Sequence, residues 1–99
     1  MNMNQEKLQE LAKDLRQQEP RPAYEKLGGF EMAARTLDKC RATLLGIEGG
    51  FRFGCPMDAE FFHEAGIIQD EFEAVVANGA SDKEVADWIQ EHSHSPTNR

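Results

Sequence analysis

The stretch Phe30-Glu-Met-Ala-Ala-Arg-Thr-Leu-Asp-Lys-Cys-Arg-Ala-Thr-Leu-Leu-Gly46 decides the fold class. Phe30, Ala33, Ala34, Leu37, Cys40 and Leu44 recur at three- and four-residue spacing, which puts them on one face of a helix. The other face carries Arg35, Asp38, Lys39 and Arg41. The spacing predicts a long amphipathic helix starting near Gly28 or Gly29 and stopping at Gly46, a natural left-handed cap. The small residues Ala33, Ala34 and Ala42 would let a neighbouring helix approach closely.

Working outward, Leu8, Leu11 and Leu15 with Ala12 predict a helix from about Asn4, its cap, to Gln17. Pro20 and Pro22 end it and impose an extended connection. After Gly46 the helical period is lost. Gly49-Gly50 signals a turn, and Phe51-Arg52-Phe53 alternates like a short strand, so residues 48–55 are expected to form an irregular loop with a stub of β pairing. Three short helices should follow. Asp58 is placed to cap one carrying Phe61, Phe62 and Ala65 and ending at Gly66. Asp70 and Glu73 have capping-box spacing before Phe72, Val75 and Val76, with a stop at Asn78-Gly79. Ser81 and Glu84 repeat that spacing before Val85, Trp88 and Ile89. The expected architecture is all-α: one compact bundle of about five helices over residues 1–92, with a disordered polar tail over 93–99.

Ninety-nine residues suit one domain with one core. The net charge is −7, and residues 56–99 carry ten acidic and two basic groups. That balance argues against nucleic acid as a partner, which calls for clustered Lys and Arg. No run approaches the ~18 apolar residues of a membrane span, and the polar stretch from Met1 to Gln9 does not read as a secretory signal. Two cysteines are too few for a disulfide framework, so a cytoplasmic, reducing setting is expected.

The run Pro22-Ala-Tyr-Glu-Lys-Leu-Gly-Gly-Phe30, followed by Ala34-Arg-Thr-Leu-Asp-Lys39 and Gly54-Cys-Pro-Met-Asp58, resembles a bacterial family known only as domain of unknown function 5069. Glu71-Phe72, Val75, Gly79, Ser81-Asp-Lys-Glu-Val85 and Trp88 fit the same pattern, so the likeness spans roughly residues 12 to 90. The segment from Tyr24 to Phe30 and the Gly-Cys-Pro-x-Asp element are its most specific parts. The resemblance implies a helical fold and a compartment. It implies no reaction.

Two groups of residues carry candidate chemistry. Cys55 precedes Pro56 at an expected helix start, where backbone N–H groups favour a thiolate. Arg52 is near in sequence, and His63, eight residues on, is the candidate base for a nucleophilic or redox thiol. The plainer reading makes Cys55 a small packed hydrophobe. The second group is Tyr24, Gly28, Gly29, Arg35, Lys39 and Arg52, which could hold a carboxylate or phosphate if the glycines open the long helix. Its plainer reading is a tight turn and an anchored arm. The cluster Phe51, Phe53, Phe61 and Phe62 reads as core, with an exposed interaction patch as the other reading. Cys40, Cys55, His63, His92 and His94 lack the paired spacings of a zinc site, and His92 and His94 are expected to lie in a disordered tail.

With no complete catalytic set in the sequence, the expected function is a small binding or protein-interaction module without catalysis. Its partner would be a second copy, another protein or a small anionic ligand, and no cofactor, metal, nucleic acid or membrane is expected. A thiol-dependent enzyme or redox protein using Cys55 is the alternative.

Overall fold

The computed structural model describes residues 3–94. Five helices follow in chain order: α1 (Met3–Leu11), α2 (Ala33–Leu45), α3 (Pro56–Ala65), α4 (Gln69–Ala77) and α5 (Asp82–His92). The protein is all-α, as its periodicities predict. Helix α2 packs on α4, and α1 packs on both. Phe72 of α4 is fully buried at the centre. The rings of Phe53, Phe61, Phe62 and Trp88 surround it at centroid distances of 5.3–6.4 Å, mostly edge-on, the geometry aromatic quadrupoles favour. Of the expected aromatic cluster, Phe61 and Phe62 are core and Phe53 packs against it, while Phe51 lies outside it.

Helix α1 is shorter than the leucine spacing predicts. Beyond Leu11, Asp14 takes the Arg16 backbone N–H at 3.0 Å and its guanidinium at 2.9 Å. An aspartate that bonds its own neighbourhood competes with helix propagation. Leu15 is still buried, but through a tertiary contact: its N–H donates to the Ile47 carbonyl at 3.1 Å.

Helix α2 starts later than Gly28. Gly28 and Gly29 both sit at positive φ, 63° and 89°. They make a turn closed by the Leu27–Phe30 bridge, the one β pairing among the described residues. Met32 then caps α2 in the left-handed region at φ 72°. Phe30 reaches the core from outside the helix, edge-on to Phe61 at 6.1 Å. The end is as expected: Gly46 adopts the left-handed conformation, and its N–H donates to Thr43 O.

The loop between α2 and α3 forms no strand. Its alternation has a different cause. Phe53 turns into the core against Phe62, and Phe51 lies under the Arg35 guanidinium, 5.7 Å from its carbon. Asp58 does not cap α3. Cys55 is the cap residue, Pro56 opens the helix, and Asp58 is its third residue, fully buried. Proline favours that first position because it has no N–H to leave unpaired. Helix α4 likewise begins one residue before Asp70, after Ile68, without a side-chain cap. Helix α5 has a full capping box: Ser81 accepts from the Glu84 N–H, and Glu84 accepts from the Ser81 N–H.

The tail expected from Ser93 begins as docked chain. The His94 N–H donates to Ala65 O at 2.7 Å. Gly66, at φ 71°, permits this approach, because a Cβ there would collide with the His94 carbonyl. His92 belongs to α5 and stacks on Trp88, with Nδ1 2.9 Å from the Trp88 carbonyl. The remainder of the expected tail, 95–99, lies outside the described residues. No helix among the described residues is long and apolar enough to cross a membrane.

Candidate functional site

Thr36 and Lys39 lie three residues apart on α2 and so share a face. That face meets the start of α3. The Thr36 hydroxyl donates to Asp58 Oδ1 at 2.7 Å, and Lys39 Nζ sits 3.0 Å from Asp58 Oδ2. The Gly54 N–H donates to the same oxygen at 2.9 Å. Lys39 Nζ also donates to Cys55 Sγ at 3.3 Å. Lys39 and Asp58 are shielded from water, and a buried charge pair holds only when hydrogen bonds complete it, as they do here. The cluster ties α2, the incoming loop and α3 together.

A second ionic cluster joins the connection after α1 to α2 and α5. The Arg21 guanidinium pairs with Asp38 at 3.0 Å and with Asp82 at 2.8 Å. Arg41 pairs with Asp82 at 2.9 Å and donates to the Ala80 carbonyl. Its Nε is buried without a hydrogen-bond partner among the described residues. Burial opposes ionisation of Asp82. Hydrogen bonds from Arg21 and the charges of Arg21 and Arg41 outweigh it and hold the carboxyl below its ordinary range.

The third feature is a cleft of about 500 Å³ between the segment entering α2 and the outward side of α3. Glu31, Met32, Met57, Glu60, Phe61, His63 and Glu64 line it.

Of the residues that sequence reasoning singled out, the structure brings Cys55 and Lys39 together. His63 lies two turns along α3, about 12 Å by the rise of a helix, and faces the cleft instead. An ammonium beside sulfur is an arrangement that activates thiols, but here the same ammonium is already held by Asp58. The residues considered for an anion site have separate neighbours. Tyr24 is 77% exposed. A Cβ on Gly28 would press on Ala86 and Ile89 of α5, so this turn packs on α5 and does not open α2. Arg35 donates to the Arg21 carbonyl and covers Phe51. Lys39 points inward, and Arg52 is exposed. Cys40 is buried, and that burial, followed by the Glu73 charge, pushes its thiol well up. No three His, Cys, Asp or Glu side chains among the described residues are placed to hold a metal ion.

Over residues 17–99 the sequence matches the family described as Domain of unknown function (DUF5069). The chain belongs to the DUF5069 family. The match includes the Gly-Cys-Pro-x-Asp element, and the structure gives that element a physical role in this DUF5069 member. Glycine brings its N–H to Asp58, cysteine caps α3 against Lys39, proline opens the helix, and the aspartate closes the cluster. No curated protein matches the chain.

Sequence reasoning missed Thr36, Asp58, Arg21 and the cleft. A usable signal was present for each α2 partner: Thr36 with Lys39, and Asp38 with Arg41, repeat at i, i+3. On α3 the cleft residues Met57, Glu60, Phe61 and Glu64 repeat at i, i+3, i+4 and i+7.

Proposed function

We propose that this DUF5069 protein is a small binding or protein-interaction module without catalysis, and that it works through the cleft along α3. One observation carries the reading: Met57 is 55% exposed in a cleft that Phe61 and Met32 also line, while the buried charges of α2 are paired with Arg21, Asp58 and Asp82. Exposed methionine beside other apolar side chains is a surface suited to receiving a partner, because its unbranched side chain adapts to irregular shapes. A reducing, cytosolic setting is part of the proposal, supported by the free thiols of Cys40 and Cys55.

The test is affinity capture from cell extract on immobilised protein, comparing wild type with Met57→Arg. A partner retained by the wild type and lost with Met57→Arg supports the reading. If nothing retained depends on Met57, the cleft is not the working surface.

A second reading, a thiol-dependent protein using Cys55, draws on the 3.3 Å contact from Lys39. It requires the thiol to react with peroxide or a disulfide faster than a free thiol does at neutral pH. A rate no greater than that of glutathione removes it.

A further inference from the structure

The cleft along α3 has a charge as well as a shape. Three of its lining residues are glutamates: Glu31 from the segment entering α2, and Glu60 and Glu64 from α3. All three are exposed, and none is in an ion pair or hydrogen bond among the described residues. No Lys or Arg lines the cleft. Of the cations near it in sequence, Lys39 is engaged on Asp58 and Arg35 on the Arg21 carbonyl and Phe51, while the exposed Lys26 and Arg52 are not among the residues that line the cleft. The rest of the lining is the exposed His63 and the apolar side chains of Met32, Met57 and Phe61, of which Met57 is exposed and Phe61 buried.

We infer that this cleft receives a basic amphipathic helical segment of another protein, with an apolar anchor on Met32, Met57 and Phe61 and Lys or Arg side chains meeting Glu31, Glu60 and Glu64. The inference rests on the proposed binding role and names its partner's chemistry. Glu60 and Glu64 stand one turn apart on α3, about 6 Å along the helix. A partner helix running along α3 matches them with basic residues one turn apart on its own surface. A cleft of this volume holds one or two large apolar side chains, within the usual range of side-chain and ligand pockets. Methionines at the contact tolerate several anchor shapes, as helix-receiving grooves do. The uncompensated carboxylates reject anionic surfaces, so charge excludes nucleic acid and acidic lipid from this face.

The test uses the full chain and a fluorescein-labelled helical peptide of alternating Leu and Lys turns, followed by anisotropy. An acidic peptide with Glu in place of Lys serves as the comparison. Binding of the basic peptide should weaken about tenfold or more in Glu60→Lys/Glu64→Lys, and several-fold in Met57→Ser, as expected when both charge and anchor contribute. A charge-matched pair on α1, Glu6→Lys/Glu10→Lys, exposed, one turn apart and on a helix that packs on α2 and α4, should leave affinity within about twofold, because distant exposed charges are screened at ordinary salt. Circular dichroism confirms that each variant folds. The inference is overturned by equal losses from the remote pair, by equal binding of the acidic peptide, or by no binding of the basic peptide. It is also overturned if light scattering finds a dimer that Glu60→Lys/Glu64→Lys dissolves, since the occupant would then be a second copy. A Met57-dependent partner captured from extract through a neutral or acidic segment would leave the binding role standing and reject this partner chemistry alone.

Discussion

The Lys39 ammonium and the Asp58 carboxylate meet 3.0 Å apart with only 5% and 0% of their side chains exposed. Removing one partner leaves the other charge buried and alone. Lys39→Met should therefore destabilise the protein by about 3–5 kcal/mol in chemical denaturation. Replacing both, Lys39→Met with Asp58→Asn, should recover much of that loss, because the charges disappear while an amide oxygen remains to accept from Thr36 or Gly54. Additive losses in the double variant would show that the two residues do not act as a pair.

The two cysteines should separate cleanly by reactivity. Cys55 is partly exposed at the start of α3, whereas Cys40 is buried and its thiol is pushed up by that burial. Iodoacetamide at neutral pH should modify Cys55 in the folded protein, with Cys40 following only on unfolding. Mass mapping after a timed reaction reads this directly, and early modification of Cys40 would contradict its placement.

Asp82 makes stability depend on acid pH. Its carboxyl is lowered from an ordinary value of 3.8: burial alone would raise it, but Arg21 and Arg41 prevail. A folded-state value below the unfolded one means that the unfolded chain binds more protons in that window. The stabilisation is thus present above 3.8 and lost as pH falls through the lower folded value. The Tm difference between wild type and Asp82→Asn should be largest near neutrality and shrink on acidification below that point. A difference independent of pH would mean the charge is not the source.

Gly66 joins the end of α3 to the end of α5. It adopts φ 71°, and a side chain there would strike the His94 carbonyl. Gly66→Ala should cost about 1–2 kcal/mol for the left-handed backbone alone, and it should also release the His94–Ala65 hydrogen bond. Amide exchange at His94 should accelerate in the variant more than exchange at Ile89, in mid-helix. Unchanged protection at His94 would remove this glycine's proposed part in docking the tail.

The helices were legible because their signals are local. Three- and four-residue spacing marks all five. Pro56 opens α3, Gly46 and Gly66 close helices, and Ser81 with Glu84 forms the capping box its spacing announces. The misreadings also have local causes. Asp14 bonded its own loop and ended α1 early, and Gly28 with Gly29 made a turn four residues before α2. Phe51-Arg52-Phe53 alternates because one ring goes inward and the other lies beneath Arg35, not because the segment pairs as a strand.

The candidate site was much less legible. Cys55 and Lys39 were each visible, but nothing local says that a lysine on the polar face of α2 turns inward to an aspartate nineteen residues away in sequence. The sequence by itself determined which segments coil into helices and where most of them stop, since backbone propensity, capping and apolar period act over a few residues. Only the tertiary structure decided which charges are buried together and which remain on the surface. A charge's cost depends on the solvent and partners around it, and those exist only once the helices have packed. That is why Asp58 became an internal strut while Glu60 and Glu64, on the same helix, were left facing an open cleft.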